Sequence, residues 1–570
     1  MIPEPLTFER LRAEIVGADT LIPTPFGEKP MVYCDYTASG RCLSFVERYL
    51  QQVQRHYANT HTEDDMTGRT MTRLLRQAEA AIKDAVNAGP DGRIVACGTG
   101  SSGAIEKLQQ IVGTALPPAT RRVLLNALRL AFPPDRIEEI EGAIVQRAPV
   151  VFVGPFEHHS NEVTWRQGFA IVVEVRLCQD GGVDLQHLEE LLQDPRYQGR
   201  LRIGSFSAAS NVTGMRTPVH EIARLLHRYE AIACFDYAAS APYVEIDMNP
   251  APRPGEEGDP SLDAIFISPH KFLGGPGSSG VLVFNRRIYH SDLPPTVGGG
   301  GTVEYVSPEG QEYFADIEER EKSGTPGVIQ IMKAALAFLV KDAIGAEQIE
   351  EREQELLDRA FERWRDHPRV EILGNPDPRR RIGIVSFNLK SSNGRYLHPK
   401  LVTALLNDLF GIQSRAGCSC AGPYGHRLLG IDLEHSERYR HWIMKGFTGI
   451  KPGWCRIGFH YTMEDAEAEY VMDAVEFVAE HGERFVPLYR FDLHTGAWTH
   501  GSDAGPTEEF SLRKALAHGT PPRVADAMER SARYRRCLEE AHELAESLSA
   551  EVCDASLDGE LGVLQFFCMH

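Results

Sequence analysis

The chain has 570 residues, too many for one compact core, and its 42% hydrophobic content is ample to bury two or three. Asp and Glu number 80 against 60 Lys and Arg, a formal charge of -20 that argues against a nucleic-acid partner or an anionic membrane surface, so any bound anion has to be held locally. The 11 cysteines lack the dense spacing of a disulfide scaffold, no stretch is long enough to cross a bilayer, and residues 1–10 have no signal-like apolar core; the reading is a cytoplasmic protein with free thiols.

Short apolar or β-branched runs at 94–97, 150–153, 171–175, 232–235, 264–267 and 281–284 alternate with amphipathic stretches such as 185–192 and 221–229. That alternation predicts an α/β fold, with a large domain over 31–330 built on a mostly parallel sheet and an arm, 1–30, contributing to a smaller domain. After Gly324-Thr325-Pro326-Gly327 a helix over 328–340 leads into a smaller α+β domain, 331–490, with a charged helix at 348–365 and strands at 382–388 and 454–459. Residues 491–570 read as a linker and a helical extension, its helix at 522–548, of no assigned role. There are no internal repeats.

Gly98-Thr99-Gly100-Ser101-Ser102-Gly103 fits a dinucleotide-binding pattern, but 115–123 reads as a Pro- and Arg-containing loop, without the acidic residue such a site needs on its next strand. Small residues, hydroxyls and free N–H groups at a helix start still make an anion pocket, against the plainer reading of a cap by Ser101 or Ser102. In Glu157-His158-His159-Ser160-Asn161 the adjacent histidines point apart and lack a third metal ligand, so stacking of one imidazole, His158, on an aromatic cofactor, with proton transfer as a second, catalytic duty, fits better. Asp236 ends an apolar run, where a carboxylate can keep a pyridine nitrogen protonated or merely begin a turn. Lys271, in Ser268-Pro269-His270-Lys271 after the run 264–267, is either a desolvated amine that forms a Schiff base with pyridoxal phosphate or an ordinary loop lysine. In Ser414-Arg415-Ala416-Gly417-Cys418-Ser419-Cys420-Ala421-Gly422-Pro423 three readings compete: a zinc site completed by Cys455, His426 or His460, a pair of buried thiols, or a nucleophile beside an arginine.

Taken in order, these motifs resemble the class V aminotransferase family of fold-type I pyridoxal 5'-phosphate enzymes, over roughly residues 30 to 470, and most of all its cysteine desulfurase and selenocysteine lyase branch. The resemblance implies a large domain with a seven-stranded type of sheet, a homodimer, and the following roles. Ser101, Ser102, Ser268 and His270 would hold the cofactor phosphate, and His158 would stack on its ring. Asn211, in Ser210-Asn211-Val212-Thr213-Gly214, would reach the phenolic oxygen, Asp236 the ring nitrogen, and Lys271 would carry the imine. Arg456 would grip the carboxylate of a small amino-acid substrate, with Arg415 nearby, and Cys420 would form the persulfide. Thr302, in Gly300-Gly301-Thr302, would reach the phosphate site of the partner.

The departures are specific. Asp236-Tyr237-Ala238-Ala239 replaces the usual Asp-Gly-Ala-Gln, so a glutamine contact to the cofactor is missing. Cys418-Ser419 stands where histidines often precede the catalytic cysteine, and the span from Cys420 to Arg456 is long. The expected reaction is removal of sulfur from L-cysteine, or selenium from selenocysteine, giving alanine and a persulfide on Cys420 that passes to an acceptor protein or thiol. A C–S lyase, aminotransferase or epimerase on the same scaffold, and a cofactor-free binding protein, are the alternatives.

Overall fold

The computed structural model describes residues 6–502, apart from 19, 61 and 253. The predicted helix at 522–548 lies outside the described residues. None of the described helices is long and apolar enough to cross a membrane.

A seven-stranded sheet forms the centre: β1 (Gly92–Cys97), β2 (Val150–Val153), β3 (Ile171–Glu174), β4 (Arg202–Ser207), β5 (Ile232–Asp236), β6 (Ala264–Ile267) and β7 (Gly280–Asn285). Its order is β1-β7-β6-β5-β4-β2-β3, and β7 alone runs in the reverse direction, antiparallel to β1 and β6. All residues of β2, β4 and β6 are buried, the state expected of parallel strands covered on both faces. The interior strand β4 escaped the periodicity reading because Arg202, Gly204 and two serines dilute its apolar run. Buried Arg202 donates to the carbonyls of Leu192 and Tyr229, and a Cβ on Gly204 would lie 2.4 Å from Leu226 of the helix Val219–Arg228.

One expectation is corrected. Residues 115–123 are not a loop throughout: a helix, Pro118–Ala131, begins there, and a second, Pro134–Arg147, follows. Pro118 and Pro134 each sit in the first turn of their helix, where the missing N–H costs nothing and φ is already helical, so a Pro-containing stretch can open a helix.

The helix Val328–Ile344, buried along most of its length, packs on the helix Met66–Ala85 and leads into the helix Ala346–Trp364. A second core gathers Leu356, Phe361 and Trp364 against an antiparallel sheet of order β8-β9-β11-β10, where β8 is Val370–Ile372, β9 Ile384–Leu389, β10 Arg415–Gly417 and β11 Trp454–Gly458. Val32 and Cys34 join this core, and Val32–Tyr33 pairs with Ile412–Gln413.

On the helix Ala346–Trp364 the buried Glu353 accepts from the Gly383 N–H at 3.0 Å through Oε2, while Oε1 has no partner, and burial pushes its pKa up to about 8. The folded state therefore binds a proton that the unfolded chain releases near its ordinary carboxyl pKa, so this residue removes stability as pH rises from that value towards 8. Glu353→Gln keeps the acceptor without the charge. The variant should gain on the wild type by about 1.4 kcal/mol per pH unit across that window, read as a thermal midpoint difference that widens from pH 5 to 8; a constant difference would contradict a neutral buried carboxyl.

Candidate active site

The carboxyl ends of β1, β2, β4, β5 and β6 open on one side of the sheet, where ligands of open α/β sheets bind. There they line a cavity of about 280 Å³. β1 delivers Thr99, Gly100, Ser101 and Ser102 at the start of the helix Gly100–Ile111; the turn after β2 delivers His158; Ser207 and Asn211 follow from β4, Asp236 from β5, and Ser268, His270 and Lys271 from β6. The glycines allow close approach: Gly100 has φ +61, and a Cβ on Gly280 would lie 2.1 Å from its carbonyl oxygen. The Ser101 N–H donates to Ser268 Oγ at 2.8 Å, and the hydroxyls of Ser102 and Ser160 are 2.5 Å apart. This corner, a helix N-terminus with three serines and His270, suits an anion.

The groups at the floor of the cavity are buried, and burial shifts their titration. Desolvation brings the Lys271 ammonium down to about 8, against the attraction of Asp236. Asp236 is raised by its own burial, with its Oδ1 accepting from the Ala238 N–H at 2.9 Å. His158 and His270 fall to about 4, first through desolvation and then through the Lys271 charge, so both are neutral at physiological pH. His158 Nδ1 accepts from the Ser160 N–H at 3.1 Å, which assigns its proton to Nε2. Glu157 holds this turn to the end of β4: it accepts from the Ser207 N–H at 2.8 Å, the Ser207 hydroxyl at 2.6 Å and Asn161 Nδ2 at 2.7 Å.

The other wall comes from the antiparallel sheet. Arg415 and Arg456 stand directly opposite each other on β10 and β11, a repulsive pairing. Asp35 relieves it: Oδ2 accepts from Arg415 Nε at 2.8 Å, and Oδ1 pairs with the buried Arg456 at 3.0 Å. A second Arg456 nitrogen donates to the Asn211 carbonyl at 2.8 Å. Sequence reading missed Asp35, for it lies some 400 residues from the arginines and in no motif read above; an isolated carboxylate after the run Val32-Tyr33-Cys34 was its only signal.

Cys420 is exposed and lines the cavity mouth. It belongs to a tight turn in which the Ala421 N–H donates to the Cys418 carbonyl at 3.1 Å, while Ser419 and Cys420 have φ of 49 and 56. Two successive positive φ values are the type I′ pattern, strained for residues other than glycine. Three bonds hold it: Asn211 Nδ2 donates to the Ser419 carbonyl at 2.6 Å, the His159 N–H donates to the Cys420 carbonyl at 2.8 Å, and the Gly422 N–H donates to His159 Nε2 at 2.9 Å. Among the described residues no group of three His, Cys, Asp or Glu could share a metal ion. Thr302 is not in the cavity lining; it is buried, and its hydroxyl donates to the Gly299 carbonyl at 2.7 Å.

Two relatives are similar over most of their length. A probable cysteine desulfurase of Streptomyces coelicolor is 27% identical over 399 residues, 69% of this chain and 84% of its own, and a cysteine desulfurase of Haloferax volcanii is 27% identical over 439 residues, 75% and 91% respectively. Among solved structures, the apo cysteine desulfurase of Thermococcus onnurineus superposes with a TM-score of 0.62 at 21% identity, over 83% of this chain and 98% of that one. At that identity the likeness is one of fold, the α/β arrangement of the fold-type I pyridoxal phosphate enzymes. The family described as Aminotransferase class-V matches residues 138–471. With more than half of its length in that match, the chain belongs to the class-V aminotransferase family.

Proposed function

We propose that the chain is a pyridoxal phosphate-dependent cysteine desulfurase, which takes sulfur from L-cysteine, or selenium from selenocysteine, onto Cys420 and releases alanine. The observation that carries this reading is the placement of a thiol, Cys420, at the mouth of a cavity that also holds Lys271, Asp236 and Arg456. The cofactor fits the donor set: an anion corner at one end, a buried carboxylate for a cationic ring nitrogen, and between them Asn211, whose buried Oδ1 has no partner. When bound, pyridoxal phosphate supplies an electron sink for bonds broken at the substrate α- and β-carbons.

The chain's own groups have defined tasks. Ser101, Ser102, Ser268 and His270 would bind the phosphate, and the neutral His158 ring would lie against the pyridine face. Asp236 would keep a proton on the ring nitrogen, which in turn offsets the cost of its own burial. Arg456, oriented by Asp35, would hold the substrate carboxylate. Lys271 exchanges protons near neutral pH, as a pKa of about 8 allows, taking one from the α-carbon and returning it. The Cys420 thiolate attacks the substrate sulfur; the new S–S bond forms as the C–S bond breaks, its electron pair stays with carbon, and protonation there completes alanine. The enzyme then works as a cytoplasmic homodimer and passes the sulfur to an acceptor protein or small thiol.

Cys420→Ser should retain bound cofactor by its visible absorbance and lose alanine and sulfide formation from L-cysteine by about 100-fold or more; release of both at the wild-type rate would overturn the assignment. Arg456→Lys loses a two-pronged donor for a charged point, so KM for L-cysteine should rise about tenfold with a smaller change in kcat, measured by steady-state alanine formation.

A further inference from the structure

The turn that presents Cys420 to the active cavity presents a second thiol elsewhere. Cys418 lines a separate, mostly apolar cavity of about 310 Å³ on the far side of the turn, walled by His159, Trp454 and the helix Leu433–Met444. The two cavities therefore share two strips of chain, 158–159 and 418–420: His158 and Cys420 line the active cavity, His159 and Cys418 the other. Cys418 is partly buried, forms no disulfide, and has no part in the reaction described above. Leu433–Met444 buries none of its own residues and lies in the long span between Cys420 and Arg456. The second cavity is thus built in part by the segment that sets this chain apart.

We propose that Cys418 is a second sulfur-carrying thiol, which takes the transferred sulfur from Cys420 and delivers it to a thiol acceptor entering through the apolar cavity. The inference rests on the desulfurase reading above. The Cys418 thiolate attacks the outer sulfur of the Cys420 persulfide; a new S–S bond forms on Cys418 Sγ, the old one breaks, and its electron pair leaves on Cys420 Sγ, which takes up a proton. Nothing is oxidised or reduced overall, so no further reagent is needed. Cys418 and Cys420 are the first and third residues of the same four-residue turn, and release of Ser419 and Cys420 from positive φ favours a rearrangement that brings the two thiols together. Lys451, in the lining, sets positive charge on the cavity that the anionic sulfur of Cys418 would enter. Transfer would leave Cys420 free for the next substrate while the sulfur waits outside the active cavity.

The test uses the holoenzyme with one equivalent of L-cysteine, quenched with iodoacetamide at increasing times, and locates the added sulfur within the peptide that contains both cysteines by tandem mass spectrometry. In the wild type the sulfur should appear on Cys420 first and on Cys418 later. In Cys418→Ser it should remain on Cys420, and steady-state sulfide release with excess dithiothreitol should fall about three- to tenfold. Sulfur confined to Cys420 at all times in the wild type, or undiminished turnover in Cys418→Ser, would overturn the relay. Sulfur on Cys418 in Cys420→Ser would show instead that Cys418 is the primary nucleophile, and the desulfurase assignment of Cys420 would fail with it.

Discussion

Asp35 sits between two arginines that strand register forces side by side, and the arrangement around it depends on that carboxylate. Arg456 is buried, and a buried guanidinium stripped of its partner costs about 3–5 kcal/mol. The surrounding segment acts in the same sense. The Cys34 N–H donates to the Gln413 carbonyl and the Gly458 N–H to the Cys34 carbonyl, on the side of the antiparallel sheet; the Gly40 N–H donates to the His270 carbonyl and the Gly274 N–H to the Arg41 carbonyl, on the side of Lys271. Residues 34–41 thus stitch the two cores together along the cavity edge. A shift in this strip moves the carboxylate-binding arginine and the reactive lysine at once.

Desolvation then sets the chemistry. The same removal from water that lowers Lys271 to about 8 keeps His158 and His270 uncharged and raises Asp236, so the cavity holds an amine able to exchange protons beside two neutral rings. The thiol is treated differently. Cys420 is exposed on a strained turn pinned by Asn211 and His159, so the nucleophile stands in contact with solvent where the proton-transfer groups are desolvated. Asn211 joins the two, since it lines the cavity and also holds the turn.

Much of this was legible one segment at a time. The strands around Val150–Val153 and Ile232–Asp236 announce themselves by continuous apolar runs, because a strand covered on both faces has no polar face to show. Arg202–Ser207 did not, because Gly204 and buried Arg202 answer to the close helix Val219–Arg228 and to carbonyls elsewhere in the chain. The helix Pro118–Ala131 was hidden by its prolines, and Asp35 by its distance in sequence from Arg415 and Arg456.

By itself the sequence determined the local chemistry: which strand ends carry Asp236 and Lys271, where glycine and serine open a helix, and that two cysteines flank one serine. Those follow from short-range patterns, since a strand end, a cap or a turn is specified by neighbours in the chain. Only the tertiary structure decided that Asp35 bridges the arginines, that Asn211 reaches the Ser419 carbonyl, and that Cys418 and Cys420 face different cavities. Each of these depends on groups far apart in sequence meeting through packed cores, and no local pattern encodes which distant partner satisfies a buried charge or a backbone carbonyl.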